Sequence, residues 1–197
     1  MIRVSKWKVF LVSVLLTMSV ALGYIYLRRP GSRFTAIPKM RRIAHDVYLS
    51  SQLWPRNLPV LRGRRIKTIV DVRPDGEASD QPPSAEMKAL AASYGMDFYY
   101  IPAPHEGIPN DAVKALDQAL PPDALPAILY CRTGRRAVRL FAMMQASRAD
   151  GPDSNAIVQM VRDAGFPADD LEVEISYRLS QRKNAPLANK NASTATP

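Results

Sequence analysis

The sequence predicts an α/β domain, a central sheet flanked by helices, preceded by one N-terminal transmembrane helix. Three observations lead there. Short β-branched or apolar runs at residues 66–72, 98–101 and 127–130 alternate with stretches of helical period. Seventeen prolines interrupt the chain too often for a bundle of long helices. Residues 9–27 form a 19-residue stretch without a charge. At about 1.5 Å rise per residue, such a helix just spans a hydrocarbon core of about 30 Å.

Charge supports this organisation. Of 27 Lys and Arg against 18 Asp and Glu, nine cations and no acid fall in residues 1–42. The net charge of +9 therefore belongs to the leader, and the body from residue 43 is formally neutral. A nucleic-acid partner is not expected from such a body. Trp7, Tyr24 and Tyr26 stand near the ends of the apolar stretch, where aromatic side chains favour the headgroup region. Three cations precede it and six follow, which places the domain on the cytoplasmic side of a bacterial inner membrane, as a single-pass protein. The competing reading is a cleaved signal peptide, with Ala21-Leu22-Gly23 as its cleavage site. The expected organisation is a leader and anchor at 1–29, a tether at 30–42, a domain at 43–181 and a polar, disordered tail at 182–197.

Within the domain, residues 47–50 read as a short strand and Pro55 opens a short helix to Leu61. The run 66–72 has the pattern of a buried strand. Turn signals fill 73–83, and Ser84 is the expected N-cap of a helix to about Tyr94, with Met87, Leu90 and Ala91 on one face. After the strand 98–101, a proline-rich loop leads to a helix over 110–120. The apolar strand 127–130 precedes a helix ending near Ser147, and a further helix covers 154–164. Ligands of such sheets bind beyond the carboxyl ends of the strands, where Cys131 lies.

Cys131 is the single cysteine, which excludes a disulfide framework, and with two histidines the chain offers no ordinary metal cage. No metal or cofactor is expected. The segment Cys131-Arg132-Thr133-Gly134-Arg135-Arg136 joins strand to helix. A helix N-terminus with free N–H groups favours a thiolate and binds an anion. Gly134 lets the backbone turn its amides inward, and Arg136 is placed to grip a tetrahedral oxyanion through two bonds. Together these point to a thiolate nucleophile attacking an anionic centre. The bland alternative is a small buried cysteine followed by a solvated face of Arg132, Arg135, Arg136 and Arg139.

Beyond the Cys131 loop, the runs Ser50-Ser51-Gln52, Arg73-Pro74-Asp75-Gly76-Glu77 and Gln81-Pro82-Pro83-Ser84-Ala85-Glu86, with the strand at 66–72, carry a resemblance. The sequence resembles the beta-lactamase-hydrolase-like phosphatase-like domain family, a bacterial branch of the dual-specificity protein phosphatase superfamily, over about residues 45–148. The resemblance implies a cysteine-phosphatase-like fold, with Cys131 as nucleophile and Arg136 as phosphate-binding arginine. The loop amides of Arg132, Thr133, Gly134 and Arg135 would hold the phosphate oxygens. Four residues separate Cys131 from Arg136, where tyrosine phosphatases commonly have five. The hydroxyl residue that usually follows the arginine is Ala137, and the usual histidine before the cysteine is Tyr130.

The resemblance implies a general acid on the 102–111 loop, where Glu106 and His105 are the candidates, the alternative being no dedicated acid; Asp111 reads as a capping or first-turn acid of the next helix. Asp71, Arg73, Asp75 and Glu77 read as a turn stabilised by its own charges, and His45 as structural. The function expected is a membrane-anchored, cysteine-dependent phosphatase-like hydrolase acting on a phosphomonoester, of the phosphotyrosine or phosphoprotein kind, through a phosphocysteine. The alternatives are a rhodanese-like sulfurtransferase with a Cys131 persulfide, which would take a sulfur-bearing anion, and a weakly active anion-binding module.

Overall fold

The computed structural model describes residues 39–184 and, before them, Trp7 alone. The strands are β1 (Arg41–Ala44), β2 (Val47–Ser50), β3 (Thr68–Asp71), β4 (Asp97–Tyr100) and β5 (Ala127–Tyr130). They form one sheet in the order β1-β2-β5-β3-β4, mixed because β1 runs antiparallel to β2 while the other neighbours are parallel. The helices are α1 (Leu58–Gly63), α2 (Ser84–Ser93), α3 (Asn110–Ala119), α4 (Arg135–Ser147), α5 (Ser154–Asp163) and α6 (Glu172–Asn184).

Alternation along the strands divides the core between two faces. Leu49, Val70 and Leu129 point to one side and pack among Leu116 of α3, Phe141 of α4, Val161 of α5 and Ile175 of α6. Ile69, Ile128 and Tyr130 point to the other, against Leu58 and Leu61 of α1 and Met87 and Ala91 of α2. All four residues of β5 are buried, as a central strand covered on both faces requires.

The parallel register aligns the strand ends. Ser50 of β2 lies beside Tyr130 of β5, Tyr130 beside Asp71 of β3, and Asp71 beside Tyr100 of β4. Asp71 is fully buried; its carboxylate accepts the Tyr130 hydroxyl at 2.8 Å and the Arg73 N–H at 2.9 Å. Burial pushes the Asp71 carboxyl up to about 6, with both hydrogen bonds opposing. Burial, then the neighbouring Asp71 charge, pushes the Tyr130 phenol up as well.

The expected strands 47–50 and 127–130 keep their bounds, while 66–72 narrows to Thr68–Asp71 and 98–101 moves to Asp97–Tyr100. The ladder nevertheless continues past β3, where Val72 N–H donates to Tyr130 O at 2.9 Å. Strand β1 begins inside the segment read as a tether: Arg41 and Arg42 pair with Leu49 and Tyr48 across a two-residue turn. His45 occupies that turn with its side chain 92% exposed, so it supports no packing. Ser84 is not the N-cap of α2 but its first residue; its N–H and hydroxyl donate to the Asp75 carboxylate at 2.9 and 2.6 Å. A distant acid therefore caps α2.

Helix α6 turns Ile175 and Leu179 to the core, and three of its residues fall in the segment read as a tail. Arginines anchor it. Arg178 reaches Ile108 O at 3.0 Å and Asn110 Oδ1 at 2.9 Å, and Arg182 reaches the carbonyls of Arg148 and Gly151, each at 2.8 Å. The apolar stretch 9–27 and residues 185–197 lie outside the described residues. Among the described residues no helix is long and apolar enough to cross a membrane.

Two stability experiments follow from this core. Leu129→Ala empties the central layer and lowers stability by about 2–5 kcal/mol, read as a lower denaturant midpoint at unchanged slope. Folded Asp71 holds its proton more tightly than unfolded Asp71, so between about pH 4 and 6 the native state binds more protons and stability falls as pH rises. Relative to Asp71→Asn, the native protein loses up to about 3 kcal/mol across that window and changes little above it. Denaturation curves at pH 4, 5, 6 and 7 that run parallel for the two proteins would contradict this.

Candidate functional site

β5 delivers Cys131, 1% exposed, just past the level row of strand ends, and α4 begins four residues later at Arg135. The turn depends on Gly134, whose φ of +93° is left-handed. A Cβ there would meet Phe166 Cζ at 2.9 Å and Ser50 O at 3.4 Å. In this conformation the Gly134 N–H donates to Cys131 Sγ at 3.2 Å. Thr133 Oγ1 accepts the Arg135 N–H at 3.5 Å, and Arg132 O accepts the Gln52 N–H at 3.3 Å. The Arg132 and Thr133 side chains are exposed.

Arg136 is 2% exposed. Its Nη1 and Nη2 fork onto the Glu77 carboxylate at 2.6 and 2.7 Å, and Nη1 also reaches Ala103 O at 3.3 Å. Glu77 additionally accepts Arg73 Nε at 2.9 Å, and Arg73 Nη1 reaches Gln52 Oε1 at 2.7 Å. The Arg136 fork is the chief reason that the Glu77 carboxyl falls to about 2; partial burial opposes and Arg73 assists. Burial works against the charge on Arg136, yet Glu77 and the adjacent Cys131 sulfur more than offset it, and its pKa rises. The acids of residues 71–77 thus do more than stabilise their own turn, because Glu77 holds the arginine of the cysteine loop.

His105 and Glu106 are exposed on the loop between β4 and α3. Both line a cleft of about 280 Å³ with Arg135, Arg136, Arg139 and Asp170. The structure therefore brings both candidate acids to Arg136. Asp111 sits in the first turn of α3, the place expected of it, and accepts the Ala112 N–H at 2.8 Å. Arg135 Nη2 reaches Asp170 Oδ2 at 3.1 Å, and buried Arg139 donates Nη1 to the same oxygen. The alternative of a wholly solvated arginine face does not hold, because Arg136 and Arg139 are buried while Arg132 and Arg135 are exposed.

Sequence reasoning missed Gln52, Phe166 and Asp170 as parts of this site and gave Glu77 only a local role. Gln52 stood within a run that carried the family resemblance. Phe166 and Asp170 fall outside that resemblance, and no spacing pattern ties them to residue 131.

The chain is similar to curated and solved proteins. A beta-lactamase hydrolase-like protein from Agrobacterium fabrum is 30% identical over 108 residues, which is 55% of this chain and 25% of that protein. The chain thus spans about a quarter of that relative's length. A candidate phosphatase from Neisseria meningitidis is 26% identical, with a TM-score of 0.61 over 70% of this chain and 96% of that one. The kinase associated phosphatase, crystallised with serine in place of its catalytic-site cysteine, shares the fold at 12% identity, with a TM-score of 0.57 over 76% of this chain and 96% of that one. Residues 39–148, more than half of the sequence, match the beta-lactamase hydrolase-like protein, phosphatase-like domain, and the chain belongs to that family.

Proposed function

We propose that this domain is a cysteine-dependent phosphatase that hydrolyses a phosphomonoester through a phosphocysteine on Cys131. The observation that carries the reading is the Cys131 sulfur beneath the Gly134 amide at the start of α4, with the buried Arg136 guanidinium beside it. The kinase associated phosphatase has a catalytic-site cysteine, and Cys131 is the single cysteine available for that role. In this reading the thiolate attacks phosphorus, and the S–P bond forms as the ester P–O bond breaks. The departing oxygen takes a proton from Glu106 or His105 across the cleft they share with Arg136. Water then attacks phosphorus, gives its proton to the same group, and releases inorganic phosphate and the thiolate.

Arg136 and the loop amides of residues 132–136 hold the equatorial oxygens where negative charge gathers. Glu77 takes the Nη1–Nη2 edge of Arg136 and so sets the guanidinium in place before substrate arrives. Residues 9–27 are carried in this proposal as a single-pass anchor with the domain in the cytoplasm, and a reporter fused after Pro197 tests that side.

Two features favour a sulfurtransferase as the second reading: the four-residue spacing from Cys131 to Arg136, and buried Ala137, which offers no hydroxyl to the leaving sulfur. Aryl phosphate and thiosulfate assays separate the two. Phosphate release that drops by on the order of 10³ or more in Cys131→Ser supports the phosphatase. Thiosulfate turnover with one sulfur added to the protein mass supports the persulfide. Arg136→Lys, which loses the planar fork, lowers phosphate release by about 10²–10³. Whichever of Glu106→Gln and His105→Gln lowers kcat by about 10² and removes one limb of the pH profile identifies the acid. Phosphate release unchanged by Cys131→Ser would sink the thiol mechanism.

A further inference from the structure

A second cleft borders the Cys131 loop and shares no lining residue with the cleft of Glu106 and Arg136. Lys39, Arg41, Ser50, Ser51, Thr133 and Phe166 line it, around about 70 Å³. A cavity needs roughly 10–15 Å³ of such space to hold one water, so there is room here for a small oxyanion.

Its lining is cationic and rich in hydroxyls, without a carboxylate. Arg41 Nη1 donates to the carbonyls of Ala164 and Gly165 at 2.8 and 3.1 Å, and its guanidinium lies 5.1 Å from the Phe166 ring centre. These neutral partners fix the guanidinium without cancelling its charge. Among the described residues neither Lys39 nor Arg41 forms an ion pair. Ser50 is 2% exposed and, among the described residues, its Oγ has no hydrogen-bond partner. A buried hydroxyl is costly when unpaired and usually finds an acceptor. A ligand oxygen would supply one.

Position ties this cleft to the chemistry. Thr133 belongs to the Cys131 loop, Ser50 stands beside Tyr130 in the sheet, and Ser50 O lies 3.4 Å from where a Gly134 Cβ would be. We propose that Lys39, Arg41, Ser50, Ser51 and Thr133 form a second oxyanion subsite, so that the substrate carries a second phosphate or carboxylate besides the phosphate over Cys131. The substrate assignment rests on the phosphatase reading; the anion site itself does not.

Calorimetric titration of inorganic phosphate into the full Cys131→Ser chain tests the site. Two phosphates are expected to bind. Lys39→Ala/Ser50→Ala, added to that background, weakens one of them at least about tenfold, as loss of charge-assisted bonds implies. Arg136→Ala weakens the other. Lys39 is exposed and the Ser50 hydroxyl unpartnered, so the double variant keeps its melting temperature. A single phosphate site untouched by the double substitution overturns the proposal. Turnover separates the sources of the anion: some member of a series of straight-chain diol bisphosphates should exceed butyl phosphate in kcat/KM by about tenfold, an advantage lost in Lys39→Ala/Ser50→Ala. Phosphate bound in the cleft with no bisphosphate favoured overturns the substrate assignment and leaves a site for free anion. If neither these esters nor the aryl phosphate is turned over, the phosphatase reading fails, and the titration still decides the anion site.

Discussion

One carboxylate holds the candidate site together. Glu77 receives the fork of Arg136 and the Nε of Arg73, and among the described residues no other carboxylate pairs with either buried guanidinium. A buried charge that loses its partner is strongly destabilising, so the conformation of residues 73–77 and the position of α4 depend on each other. Arg73 passes the constraint to Gln52 after β2, and its N–H passes it to Asp71 and hence to Tyr130, the residue before Cys131. Both strands flanking β5 are thereby connected to the cysteine loop by hydrogen bonds as well as by the sheet.

Much of this frame was legible in the sequence because it rests on local rules. Residues 127–130 are apolar on both faces and bounded by Pro126 and the Cys131 loop, so the strand kept its bounds. Gly134 was legible as a turn because its place between strand and helix leaves little else, and its left-handed φ bears this out. Ser84 failed for an instructive reason. A serine ahead of an apolar run reads as a cap, but Asp75 offers a charged acceptor across the loop, and the helix starts on the serine. Helix α6 was hard to read because only Ile175 and Leu179, four residues apart, turn to the core, while Val173 and Tyr177 are exposed among polar residues and arginine bonds to carbonyls supply much of the rest.

The region beyond the family match is structural partner to the site rather than an appendage. Phe166 closes over the turn at Gly134, and Asp170 gathers Arg135 and Arg139 at the start of α4. These residues lie past residue 148, where the family match ends. The sequence that defines the family thus supplies the cysteine, the arginine and the carboxylate that orients it, while the C-terminal part of this chain completes the walls.

The loop that carries His105 and Glu106 is fastened at both ends. On one side Ala103 donates its N–H to Val72 O and its carbonyl accepts Arg136; on the other Ile108 O accepts Arg178. Only residues 104–107 remain to be ordered when a side chain from this loop reaches a leaving oxygen. Ordering a residue costs on the order of 1–2 kcal/mol in conformational entropy, so confining the search to four residues removes much of what a free loop of the same length would have to give up. One of the two fastenings is Arg136 itself, so in the proposed mechanism the group that grips the phosphate would also fix the start of the segment from which an acid reaches.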